Sequence, residues 1–115
     1  MDIITKIDTD LKTLYDEVYY RDLPEQYNPD NFITYFILDT RLKNFSGNTA
    51  MTEQFDIQIE VISKSNPYNL FKITSEGLIE KGYTILNPRQ DEIYKRNDIF
   101  LYSKKFNVRY INYLK

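Results

Sequence analysis

The acidic side chains of this 115-residue chain include three close pairs, Asp8 with Asp10, Asp16 with Glu17 and Asp91 with Glu92. General acid–base catalysis by carboxylates needs two such groups converging in one cleft with pKa values held apart. Nothing in the surrounding pattern marks a cleft, and carboxylates spaced like this usually decorate solvated helix and loop faces. Asp91, Glu92 and Asp98 share one segment but lack the alternate-residue spacing and central glycine of a calcium loop. The chain has no His and no Cys. It therefore lacks the side chain best suited to proton transfer near neutral pH, and it has neither imidazole nor thiolate metal ligands. Its 3 glycines, at 47, 77 and 82, build no phosphate-cradling loop. The expectation is a protein that is not an enzyme and carries neither cofactor nor metal.

Aromatic rings are the other chemistry on offer, with 11 Tyr and 7 Phe. Rings on an open sheet can stack single-stranded bases, but that mode is accompanied by a basic groove, and here 15 basic residues face 17 acidic ones. Phe32, Phe36, Phe55, Phe106 and Tyr110 fall at positions expected to face inward. Tyrosine also supplies contact area with a polar tip at protein interfaces, so Tyr19, Tyr20, Tyr27 and Tyr113 are candidates for a subunit interface, with Tyr68 a further surface ring. No apolar run approaches the roughly 20 residues of a membrane-spanning helix, and no secretory pattern follows Met1-Asp2.

These residues need a scaffold, and the hydrophobic periodicity supplies one. Ile4, Ile7, Leu11, Leu14 and Val18 recur at helical spacing, which predicts a helix over about 3–16 with Asp2 as its N-cap. Glu17 to Arg21 reads as a short strand, and Pro24 to Asn31 as a loop rich in turn formers. Phe32 to Leu38 is apolar on both faces, as in a strand covered on each side. Phe55, Ile57, Ile59 and Val61 alternate strictly with polar residues, the pattern of a strand with one face in the core. Between these strands, Lys43 to Met51 is longer than a tight hairpin needs and carries large apolar side chains, so Asn44, Phe45, Ser46, Asn48 and Met51 form a candidate partner-docking loop.

Ser65-Asn66-Pro67 opens a second helix over about 67–81, with Leu70, Ile73, Thr74, Gly77, Leu78 and Lys81 on one face and Gly82 beyond its end. Tyr83 to Leu86 reads as a strand, Pro88 to Asp98 as a charged loop, and Phe100 onward as a final strand in which Tyr102, Phe106, Val108 and Tyr110 share a face. The order is α-β-β-β-α-β-β. A single domain over residues 1–115 is expected, an α+β two-layer sandwich with a mostly antiparallel sheet of about four to five strands packed by two helices.

This order resembles the tail terminator, or tail completion, proteins of long-tailed bacteriophages. The resemblance runs over nearly the whole chain. It is carried by the helix from Ile3, Val18-Tyr19-Tyr20 followed by Pro24, Phe32-Ile33-Thr34-Tyr35, Gln54 to Val61, Ser63-Lys64-Ser65, Gly82-Tyr83, and Leu101-Tyr102 with Phe106-Asn107-Val108. It implies a structural virion protein at the head–tail interface, assembled in the host cytoplasm. Such a protein forms a hexameric ring that caps the tail tube, ends its polymerisation and joins it to the head-completion or connector protein. The resemblance also implies that DNA passes through the lumen unread. Ring contacts would then use strand edges and helix flanks, with the loop at Asn44, Phe45, Asn48 and Met51 projecting axially. Another head-closure or connector component is the nearest alternative. A single-stranded nucleic-acid-binding or adaptor module is the alternative from a different class.

Overall fold

The computed structural model describes residues 1–25, 27–86 and 90–114, so Pro88, where the expected charged loop begins, lies outside the described residues. The Asp2 carboxylate accepts the Ile4 and Thr5 N–H groups at 3.0 and 3.3 Å, satisfying backbone donors that the first helical turn leaves unpaired. Helix α1 (Ile3–Lys12) follows, burying Ile3, Ile7 and Leu11. It stops short of residue 16 because the Thr13 hydroxyl donates to the Asp10 carbonyl and the Leu14 and Tyr15 N–H groups both close on Leu11. That tightened turn releases the chain toward the sheet.

The strands are β1 (Val18–Tyr20), β2 (Asn31–Lys43), β3 (Thr52–Ser63), β4 (Thr84–Ile85), β5 (Gln90–Arg96) and β6 (Ile99–Tyr113), with helix α2 (Tyr68–Glu80) between β3 and β4. They form one sheet of order β1-β2-β3-β6-β4, with β5 also on β6. Among the described residues only β1 pairs in parallel, with Val18 opposite Ile33, and the other ladders are antiparallel. The architecture is α+β, with two helices and a mostly antiparallel sheet, but the sheet has six strands, not four to five. The additional one is β5, in the segment expected to be a charged loop. Edge strands tolerate charge on both faces, and here it serves the pairing: Asp91 meets Lys104 at 3.1 Å and Glu92 meets Lys105 at 3.4 Å across the ladder.

Both helices cover one face of the sheet, where Ile33, Tyr35, Ile57, Ile59, Val61, Phe106 and Val108 meet Ile7, Leu11, Leu70 and Leu78. Phe32 is buried as expected, but on the opposite face, in a smaller cluster with Leu23, Ile62 and Leu101. Phe36 shares that face and is only half-buried. In α2 the buried stripe is Leu70, Thr74 and Leu78, while Ile73, expected inward, is 53% exposed. The N-cap position of α2 falls on Pro67, which has no side-chain acceptor, so Asn66 takes the Tyr68 N–H at 3.0 Å instead. Gly82 ends the helix at φ +95°, the left-handed conformation its position predicted. A Cβ at Gly77 would lie 2.4 Å from Leu14 Cδ2, so the bare glycine lets α2 close against the turn after α1.

Truncating the fully buried Leu78 to Ala should lower unfolding free energy by about 2–5 kcal/mol, whereas Ile73→Ala on the same helix should change it by less than about 0.5 kcal/mol. Urea denaturation of the two variants checks which face of α2 carries the packing.

Candidate functional site

Strands β2, β3 and β6 are longer than the helices that cover them. The core ends near the cross-strand row Thr40–Phe55–Tyr110, and farther along β3 the buried residues are the polar Gln54 and Thr52. A three-stranded arm therefore projects from the body. The molecule measures 55 × 24 × 22 Å, and its radius of gyration of 15.5 Å exceeds the roughly 13 Å of a compact domain this size. A register shift between Ile37 and Asp39 marks the base of the arm. Such a bulge puts two residues against one and re-aims the strand, and here it leaves Leu38 44% exposed.

Polar pairs brace the arm across its strands. Arg109 donates to both oxygens of Asp56, at 2.8 and 3.2 Å, and Asn112 donates to Glu53 at 3.0 Å. At the tip, the Met51 N–H donates to the Lys43 carbonyl at 3.2 Å while its own carbonyl accepts from Leu114 at 2.8 Å, tying the loop to both outer strands. Ser46 and Thr49 close the turn through two backbone bonds of 2.9 and 3.1 Å, and the Asn44 amide donates to Thr52 Oγ1 at 3.1 Å. Asn48 lies within that turn and is exposed. The predicted loop thus has a defined conformation that presents Phe45, 58% exposed, and Met51 at the extreme end of the protein.

The candidate interface tyrosines fall in two places. Tyr19 and Tyr27 both donate to the Glu17 carboxylate, Tyr27 at 2.6 Å, and their rings pack edge-on with centroids 6.3 Å apart. Those two bonds hold the Glu17 carboxyl below its usual range, and the same contact raises the Tyr19 phenol. Tyr20 is exposed between the Tyr35 ring and the Arg21 guanidinium. Tyr113 belongs to the arm and is 76% exposed. It stands seven residues along β6 from Phe106, the row of Tyr20 and Tyr35, or roughly 23 Å away. Pattern reading missed the arm's own apolar residues, Leu38, Leu42 and Ile111, because exposed side chains that alternate with polar ones look the same as a core strand.

Of the acidic pairs, Asp16 is exposed beside a Glu17 that is taken up by Tyr19 and Tyr27, and the members of the other two point apart. Asp8 and Asp10 lie two residues apart on a helix and Asp91 and Glu92 one apart on a strand, spacings that send side chains to different faces. Asp8 accepts from the Tyr35 hydroxyl at 2.9 Å and pairs with Lys12 at 2.8 Å. Asp10 accepts from the Tyr83 hydroxyl at 2.7 Å and pairs with Lys6 at 2.8 Å. Burial, reinforced by these aspartates, raises both phenols. The carboxylates pin α1 to the sheet. Among the described residues no three carboxylates come together as a metal-binding group, and no helix is long and apolar enough to cross a membrane.

The sheet face away from the helices carries a hollow of about 270 Å³ lined by Arg21, Thr34, Phe36, Gln58, Glu60 and Lys105. Glu60 is its partly buried carboxylate. Burial raises its carboxyl, and the Ser103 hydroxyl, buried and otherwise without a partner among the described residues, offsets this in part together with Lys105. A carboxylate raised on folding destabilises the native state above its folded pKa and has no effect below its unfolded value, 4.5. Glu60→Gln should therefore raise the melting temperature at pH 7 and above, with the gain vanishing as pH falls below that value; thermal unfolding of both proteins from pH 3 to 8 checks it. Compared with protein-family models and with curated proteins, the chain matches none of them.

Proposed function

We propose that this chain is a structural assembly protein of the phage tail terminator type, a ring-forming cap that stops tail-tube growth and joins the tail to the head connector. The observation that carries the reading is the arm. A domain with no converging catalytic groups among its described residues extends half-covered strands well beyond its core and ends them in a braced loop with exposed Phe45 and Met51. Apolar side chains held on a rigid support and left open to water are the means by which a surface docks onto another protein. The element order resembles that class of head–tail joining proteins, and a ring of such subunits gathers the arm tips at one end, where they can dock together onto the end of a tube. The body then serves as the ring wall, and translocating DNA meets it without base readout.

Purified chain added to its polymerising tail-tube protein should yield tubes of limited length with a ring on one end, seen by negative-stain electron microscopy. The double variant Phe45→Ser, Met51→Ser should stay folded, since both side chains are exposed, yet lose capping. Tubes that grow unchecked beside the wild-type protein overturn the reading. A salt-sensitive gel shift with single-stranded oligonucleotides would instead identify a nucleic-acid-binding module.

A further inference from the structure

Each outer strand of the arm has one side already taken by β3, and only part of its other side is paired. On β2, the Ile33 N–H donates to Glu17 and the Tyr35 carbonyl accepts from Arg21, both at 2.8 Å. Beyond Tyr35, no described strand borders this side of β2 through Lys43. On β6, β5 borders Ile99 to Lys105 and β4 borders Val108 and Arg109, with the Leu86 N–H reaching the Asn107 carbonyl at 2.9 Å. Beyond Arg109, no described strand borders β6 through Tyr113. Unpaired edges of this kind are templates for another strand.

The two gaps overlap over the last four rows of the arm, where Thr40 to Lys43 on β2 stand level with Tyr110 to Tyr113 on β6; below these rows β4 occupies the side of β6. Both gaps lie on the arm, at the same level, since Arg41, Gln54 and Ile111 stand in one cross-strand row. Strands β2 and β6 each run antiparallel to β3, so they run parallel to one another, and a second copy in the same orientation brings its β6 edge alongside the first copy's β2 edge. Each margin carries exposed apolar side chains among polar ones, Leu38 and Leu42 on β2 and Ile111 and Tyr113 on β6. We propose that the β2 edge of one copy pairs in parallel with the β6 edge of the next, continuing the arm's sheet from subunit to subunit. This rests on the ring reading above and deepens it by naming the surfaces that meet. A head-to-tail contact uses two different surfaces, and repeated about an axis along the strands it closes into a ring in which the arm edges cover one another.

The chain has no cysteine, so Arg41→Cys and Ile111→Cys can be introduced separately on exposed positions and treated with a short bismaleimide linker. Mixing the two single variants should give a covalent dimer, and each single variant alone should give none. Absence of a dimer in the mixture overturns the pairing. So does efficient self-linking of either single variant, which a two-fold β2–β2 or β6–β6 contact would produce. Light scattering of the wild-type protein separates the two readings. A ring mass without a mixed dimer leaves the ring standing and removes the edge contact, whereas a mixed dimer from a protein that never forms a ring supports the contact and removes the ring.

Discussion

Strand β3 is paired on both sides along its whole length, Thr52 to Ser63, and the remaining structure is arranged around that strand. Ile57, Ile59 and Val61 are wholly buried on its helix-covered face, each stabilising the fold by about 1.5–3 kcal/mol relative to exposure. Their neighbours in the cross-strand rows, Tyr35 on β2 and Phe106 and Val108 on β6, complete the surface on which α1 and α2 rest. On the other face Ile62 anchors the smaller cluster that holds the connection after β1. That connection is also clasped from the far end, where the Arg96 guanidinium donates to the carbonyls of Pro24 and Tyr27 at 2.9 and 2.7 Å.

The helices are too short to cover strands of this length. Helix α1 has 10 residues and rises about 15 Å, while β2 has 13 residues and spans about 43 Å. The uncovered remainder is the arm, and its stability has a different origin from that of the body. Backbone ladders and the Asp56–Arg109, Glu53–Asn112 and Asn44–Thr52 pairs hold it, with little buried apolar surface behind them. Segments with few buried contacts open at lower free energy than a core. The arm is therefore the part of the molecule with most to gain from burial against a neighbour.

Much of this was legible from residue order. Strict alternation from Phe55 to Val61 identifies β3 because a half-buried strand imposes a period of two, and Asp2 and Gly82 mark helix ends because each meets a backbone requirement few residues satisfy. Strand β5 was not legible, since Gln90 to Arg96 is stabilised by pairing with β6 and by cross-strand ions rather than by burial. The far half of β2 was hidden for a related reason: Asp39, Arg41 and Lys43 suggest a loop, and only the register with β3 shows them in a strand. The tip residues Phe45 and Met51 stood out in sequence as apolar side chains in a polar loop. The margins that accompany them did not, because Leu42 and Ile111 carry no mark that separates an exposed apolar residue from a buried one.

Edges and tip impose one joint constraint. A strand edge of eight residues, Phe36 to Lys43, that no described strand borders and that includes the exposed Leu38 and Leu42 is a standing hazard for uncontrolled sheet growth. Natural sheets blunt such edges with charge or bulges, and this one has both at its base and midpoint, in the shift at Leu38 and the Asp39–Arg41 ion pair. Neither covers Leu42 or the strand end. A chain that needed only to stay monomeric would gain by shortening these strands, while one that needed only a docking loop could place Phe45 on a two-stranded hairpin. Three strands of matched length, open on both sides and tipped with apolar residues, meet a demand for lateral pairing and end-on contact from the same element.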